Sequence, residues 1–293
     1  MSNIVINPYS FITSVSFADS NAISKSITTG TAQAIYFTDS ADTFNFIESE
    51  AWTISFWVKA GWSSSLNTNI HFIIGQEPST AYQLSDLIRI YYNESNNRLY
   101  TTYGNKTTSS NAKQKQVFWL FHANYGTYAT AYAASGLGTT YWSASNRGNV
   151  GDNNFTMITL TKAAADAASS LKIYWNAATL GTPTTSKNET LAVGMSATQN
   201  RLWSLGSNGV HTGNDQLKVG NSAETVYNDL SIWNAELTSG EVSELYNSGT
   251  RLDAETHSAQ SNLIGYWKFE SDGSATVSSH DFTIAGDSNI ASV

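Results

Sequence analysis

Only one stretch of this 293-residue chain carries a clear helix signature, and that scarcity restricts its fold more than any other feature. Thr238 and Glu241, three residues apart, form a capping box in which hydroxyl and carboxylate each satisfy a backbone donor left open at a helix start. Val242, Leu245 and Tyr246 share one face at i, i+3 and i+4, and Gly249 stands where a left-handed residue would end the helix. The pattern predicts about two helical turns over residues 238–248, with one narrow apolar stripe to lay on a sheet. The link AAADAASS at 163–170 has room for one further turn.

The remainder reads as strand. Trp52, Ile54, Phe56 and Val58 alternate with Thr53, Ser55, Trp57 and Lys59, giving a period-2 strand with a clear inward face. Ala34 to Phe37 and His71 to Gly75 are strand-length apolar runs. Ile88, Ile90 and Tyr92 open a hairpin that turns at Glu94 to Asn97 and returns through LYTTYG. A polar loop is expected from Asn105 to Gln116, followed by the strand QVFWLF. Phe155 to Lys162 and Leu171 to Asn176 are expected to pair. Leu230, Ile232 and Trp233 run into the helix, broken from it by Asn234 and Ala235. Leu263 to Phe269 adds a strand beyond it, and Phe282 to Ala285 returns the chain to a sheet edge. Short strands at this density with one helix predict an all-β, antiparallel two-sheet jelly-roll sandwich. Residues 1–30 form an N-terminal arm or edge strand. Residues 31–293 form a single domain, with an aromatic and Gly-rich insertion at about 104–151 that is long for a plain loop.

Composition narrows the function. There are no cysteines, so disulfides, thiolate metal sites and thiol nucleophiles are excluded. A net charge of −8 argues against nucleic acid, whose affinity rests on Lys and Arg neutralising phosphates. No apolar run reaches the length of a membrane-spanning helix. The first residues, MSNIVINPYSFITSV, lack the basic start and apolar centre of a signal peptide, which implies synthesis in a cytoplasm. Only 13% of residues are charged, while Ser, Thr, Asn, Trp and Tyr abound, as suits a polar β surface over an aromatic core.

Three blocks carry a family resemblance. AELTSGEVSELYNSG (235–249), AWTISFWVKAG (51–61) and NFTMITLTK with LKIYWNAATLG (154–181) resemble, in this order and spacing, the laminin-G-like domains of the concanavalin A-like lectin/glucanase superfamily. They span residues 35–270. Phe155 stands where that family has Trp and Thr159 where it has His, while Leu180-Gly181 matches the position of its tight turn. LIGYWKFE (263–270) opens such domains elsewhere but here follows the helix, an arrangement similar to laminin-G-like virion proteins of tailed bacteriophages. The resemblance implies a concanavalin A-like sandwich. It also implies a non-enzymatic virion protein, a capsid decoration or fibre module exposed on the particle. Its partners would be further copies of itself, as in a trimer, and other virion proteins, with polysaccharide as a ligand. A lectin or adhesin independent of a virion is the alternative, and a polysaccharide-degrading enzyme a minor one. Related glucanases carry Glu-x-Asp-x-x-Glu on one strand, and no such spacing occurs here. The five histidines, His71, His122, His211, His257 and His280, show no metal-binding spacing.

Two sets of residues are candidates for a site. Tyr128, Tyr132, Tyr141 and Trp142 lie in a stretch almost free of charge and could meet a glycan or a sister subunit. Trp57, on the outward face of its strand, is either a stacking platform or packed under a loop. No cofactor is required, but related domains hold calcium at a sandwich rim, and Asp215, Asn221, Asn228 and Asp229 are hard oxygen donors of the kind that ion takes. The same residues are what any β-turn selects.

Overall fold

The computed structural model describes residues 21–25, 34–39, 44, 50–60, 70–78, 88–93, 98–106, 112–120, 155–164, 170–188, 201–205, 207–212, 216–219, 225–285 and 289–292. In chain order the strands begin with β1 (Asn21–Lys25), β2 (Ala34–Asp39), β3 (Trp52–Ala60), β4 (Ile70–Pro78), β5 (Ile88–Asn93), β6 (Arg98–Lys106) and β7 (Ala112–Leu120). Next come β8 (Thr156–Lys162), β9 (Leu171–Trp175), β10 (Ala178–Thr179), β11 (Thr184–Asn188) and β12 (Arg201–Leu205). The last group is β13 (Ser207–Thr212), β14 (Gln216–Val219), β15 (Thr225–Trp233), β16 (Leu263–Trp267), β17 (Thr283–Ala285) and β18 (Asn289–Ser292). Helix α1 (Ser239–Tyr246) follows β15.

One eight-stranded sheet runs β10-β9-β8-β3-β15-β1-β18, with β16 also on β15; the other runs β11-β7-β6-β5-β4-β12-β2-β17. The pairings are antiparallel, and the chain crosses repeatedly from one sheet to the other. This is the expected all-β jelly-roll sandwich. The alternation in β3 decides its facing. Trp52, Ile54, Phe56 and Val58 enter the core between the sheets, where they meet Ile35, Phe37, Ile90, Leu99, Val117 and Trp203 from the opposite sheet. A second core lies on the outer face of the first sheet, where Trp57, Met157, Trp233 and Tyr266 are covered by Leu237, Val242 and Leu245 of the helical lobe.

The first and last described strands pair. β1 lies one strand in from the sheet edge, between β15 and the edge strand β18, while β17 pairs with β2 at the edge of the other sheet. The predicted return of Phe282 to Ala285 to an edge is therefore found.

Local chemistry explains α1. Its capping box is complete: Thr238 Oγ1 accepts from Glu241 N, and the Glu241 carboxylate accepts from Thr238 N at 2.7 Å. The C-terminus differs from expectation. The left-handed turn begins two residues earlier, with Asn247 at φ 47° and Ser248 at φ 56° before Gly249 at φ 87°. Asn tolerates this region because its short polar side chain bonds locally. Two further expectations are corrected. The polar run from Asn105 to Gln116 is largely strand, because β6 continues to Lys106 and β7 starts at Ala112. Its polar residues lie on the ladder between β6 and β7, and Lys115 and Gln116 pair on the other side with β11. The hairpin between β9 and β10 turns at Asn176-Ala177, with Trp175 paired to Ala178, while Gly181 bends the chain afterwards.

That two-residue turn holds Ala177 at φ 66°. Turns of this kind favour Gly at the second position, since a Cβ in the left-handed region is strained. Ala177→Gly is therefore expected to raise stability by about 0.5–1 kcal/mol in a thermal or urea melt. A fall instead would mean that the contact of the Ala177 methyl with the outer core outweighs the strain.

Candidate functional site

The most perturbed titratable groups among the described residues gather where β15 changes partners. One side of β15 pairs with β3 throughout. Its other side pairs with β1 over Thr225 to Tyr227 and with β16 over Leu230 to Trp233. At the change, Asn228 faces Trp57 and Ser231 faces Ser55, so Asp229 and Leu230 together oppose Phe56. This is a β-bulge, with Asp229 at φ 46°. The extra residue resets the facing of the strand. Tyr227, Leu230 and Ile232 all enter the inter-sheet core, whereas an unbroken alternation would send Leu230 and Ile232 outward.

Asp229 is 5% exposed and its carboxylate is fully engaged. Tyr266 Oη donates to Oδ1 at 2.5 Å, and Arg251 Nη1 donates to Oδ2 at 2.5 Å. Arg251 also donates to Asn228 Oδ1 at 3.2 Å, and its Nη2 lies 3.5 Å from Glu270 Oε1. Beside this group, Lys268 Nζ sits 2.7 Å from Asp253 Oδ2 and 3.2 Å from Glu255 Oε2. The backbone is bent to bring the groups together. Arg251 has φ 60°, and Phe269, between Lys268 and Glu270, has φ 56°.

Burial dominates the electrostatics. It pushes the Asp229 carboxyl well above the usual carboxylate range, with the Tyr266 hydroxyl working in the opposite direction. It likewise raises the Tyr266 phenol, helped by the adjacent carboxylate, and lowers the Arg251 guanidinium. A guanidinium nonetheless keeps its proton, and its contact with Oδ2 is what makes a carboxylate tolerable at this depth. With side chains only 4% and 9% exposed, Asp229 and Arg251 leave no open valence for a substrate. Chemically this is a rivet, which fixes the segment after α1 to the bulge in β15.

A seam of hydroxyls continues it across the outer face of the sheet. Ser55 Oγ and Thr159 Oγ1 are 2.7 Å apart, and Trp233 Nε1 donates to Ser231 Oγ at 3.1 Å. Thr53 Oγ1 donates to Ala235 O at 2.8 Å and accepts from Leu237 N at 2.9 Å. These bonds give partners to polar groups on a largely buried face, where an unpaired one is costly.

The residues singled out from sequence fare differently. Trp57 is not a surface platform: its ring is 3% exposed and stacks on Tyr246 at 5.7 Å and 19°, under the helix rather than under a loop. Asn228 and Asp229 are adjacent, as expected, but both face Arg251. A calcium ion there would meet a guanidinium, so this pair does not fit the ion. Asp215, Asn221, Tyr128, Tyr132, Tyr141 and Trp142 lie outside the described residues. Among the described residues no three His, Asp or Glu side chains are grouped to hold a metal, and no helix is long and apolar enough to cross a membrane. Sequence reasoning missed Arg251 and Tyr266. The signal available for them was a carboxylate inside an apolar strand run, which requires a buried cation from elsewhere.

Fold and site together define a jelly-roll sandwich with a helical lobe riveted to one outer face. No protein-family model matches the chain, and no curated protein matches it. Among solved structures it is similar to the botulinum neurotoxin serotype G binding domain, at 15% identity over 77% of this chain and 42% of that one, with a TM-score of 0.44. The serotype D binding domain gives 15% identity, 78% and 43% coverage, and a TM-score of 0.45. A native heptameric SAP-like pentraxin from Limulus polyphemus gives 10% identity, 96% and 97% coverage, and a TM-score of 0.45. The chain spans about two fifths of the length of the two neurotoxin binding domains. The sandwich is defined by its own strand pairing rather than by these likenesses.

Removing Arg251 leaves the buried Asp229 carboxylate without its cation, with only the Tyr266 hydroxyl still bonded to it. Arg251→Met is expected to cost about 3–5 kcal/mol in urea unfolding, and Arg251→Met with Asp229→Asn appreciably less than the single change. Equal losses for single and double variants would show that the pair is not coupled.

Proposed function

We propose that this chain is a non-catalytic binding module whose ligand is a neutral surface polysaccharide. Its setting is the virion of a tailed phage, where it serves in multiple copies as a decoration or fibre module. The observation that carries the binding reading is that the strongest charged chemistry among the described residues is spent internally, on the Asp229–Arg251–Tyr266 rivet. Recognition is then left to hydroxyls, amides and aromatic edges, the groups that hydrogen-bond to and stack on sugars. The exposed Thr184, Thr185 and Ser186 of β11, and a chain only 13% charged, agree with that. Hydrolysis of a glycosidic bond needs two opposed carboxylates open to substrate, and Asp229, the most deeply buried carboxylate of the described site, is not available as one of them.

The virion setting is supported by the order of the laminin-G-like blocks and by LIGYWKFE following the helix. In the fold that block is β16, hydrogen-bonded to β15 and supplying Tyr266 to the rivet. A lectin independent of a virion is the second reading, favoured by the same low share of charged residues. We propose no cofactor in either; of the candidate calcium donors, Asn228 and Asp229 are committed to Arg251.

A glycan array probed with the purified protein, with and without a calcium chelator, tests the binding reading. Saturable binding that survives the chelator is the expected result. No binding by a folded oligomer would overturn the glycan reading and leave a purely structural role. Release of reducing sugar from a bound polysaccharide would overturn the non-catalytic one.

A further inference from the structure

The helical lobe is held by a second polar contact that neither the rivet nor the proposed binding uses. His257 is fully buried between the turn at Ala254–Thr256 and the turn at Gln260–Asn262. Its Nδ1 accepts from Ala259 N at 3.0 Å, and Nε2 lies 2.9 Å from the carbonyl oxygen of Glu241 in the first turn of α1. A backbone N–H cannot accept and a carbonyl cannot donate. The bonding therefore assigns the neutral ring with its proton on Nε2. The imidazole also meets the Trp233 ring edge-on, with centroids 5.0 Å apart, so it joins α1, the following turns and the outer face of β15 at one point.

We infer that His257 is an acid-sensitive latch that holds the helical lobe on the sheet. A second proton can go only to Nδ1, where it would face the Ala259 N–H, donor against donor, in a place water does not reach. Acid thus favours an undocked lobe in which the imidazolium is solvated. The groups around the ring are few. From α1, the Glu244 carboxylate lies 3.7 Å from Nε2 and would attract the cation, but it is 38% exposed and already accepts from Ser258 N and Oγ. The Glu241 carboxylate is turned to the helix cap, Asp253 and Glu255 are turned to Lys268, and β15 presents the Trp233 ring. Glu244 therefore tempers the latch, and solvent weakens its pull. The sandwich beneath keeps its own core, so undocking is a local opening rather than global unfolding.

Hydrogen exchange across pH on the intact chain tests this. Between about pH 7.5 and about pH 5.5, after correction for intrinsic rates, protection of the amides of Val242–Tyr246 and Ala259–Asn262 is expected to fall severalfold, to about tenfold at most for a single imidazole, while that of β3 and β8 holds. His257→Asn is expected to remove this pH dependence, because Asn Oδ1 can accept from the N–H two residues on without titrating. Glu244→Gln, which keeps one oxygen acceptor for Ser258 but removes the carboxylate facing Nε2, is expected to enlarge the loss at pH 5.5 relative to pH 7.5. The same pH dependence in His257→Asn, no effect of Glu244→Gln, or a simultaneous loss in β3 and β8 would each overturn the inference.

Discussion

The bulge at Asp229 is the constraint on which the rest of the molecule depends. β15 is a central strand, paired along one side to β3 and along the other first to β1 and then to β16. It must give apolar side chains to two cores on opposite faces of one sheet, and a strict period of two cannot change the assignment partway along. One inserted residue does so. Tyr227, Leu230 and Ile232 serve the core between the sheets, while Trp233 is freed for the core beneath the helix. The residue inserted must accept a left-handed backbone and then find partners in a dry place. Asp meets the first demand, and Arg251 with Tyr266 meets the second.

The rivet explains orientation better than stability. Replacing a buried ion pair with well-packed apolar residues is often neutral or favourable, so holding the lobe in place does not require one. Apolar packing by Leu237, Val242 and Leu245 supplies the attraction, at about 1.5–3 kcal/mol for each large side chain fully buried. An apolar stripe alone can slide. The directional bonds from Arg251 to the bulge, from Thr53 to Ala235 and Leu237, and from His257 to the first turn of α1 allow one placement. Attraction and specificity thus come from different residues of the same interface.

What was legible in the sequence follows this division. The helix, its capping box and its apolar stripe could be read because every interaction involved spans four residues or fewer. The inward face of β3 could be read because a buried alternating strand repeats its signal several times. The bulge could not: Asn228-Asp229 in an apolar run looks like a turn or a pair of ion ligands, and the cation that explains it lies 22 residues away in sequence. Trp57 was ambiguous for a related reason. An outward aromatic looks the same whether the face above it is water or a helix, and only the docking of Tyr246 decides. The polar strand β7 was hidden because its early residues carry no apolar alternation, and their place is set by the ladder with β6.

The two cores are secured differently, and this bears on which part of the molecule can move. Between the sheets, Phe37 touches Phe44, Trp203, Trp267 and Phe282 with centroids 4.7–6.0 Å apart, which joins β2 and β12 of one sheet to β16 of the other and to the C-terminal segment. The contacts of Phe37 with Trp267 and Phe282 join residues remote in sequence, so they are not lost without opening the sandwich. The outer core is closed by a single stretch of chain, from Ala235 to Asn262, held through one apolar stripe and a handful of directional bonds. Cooperative stability belongs to the first core, and local opening to the second. The helical lobe is laid on a sheet whose own core is complete without it, so the lobe can open while the contacts between the sheets remain.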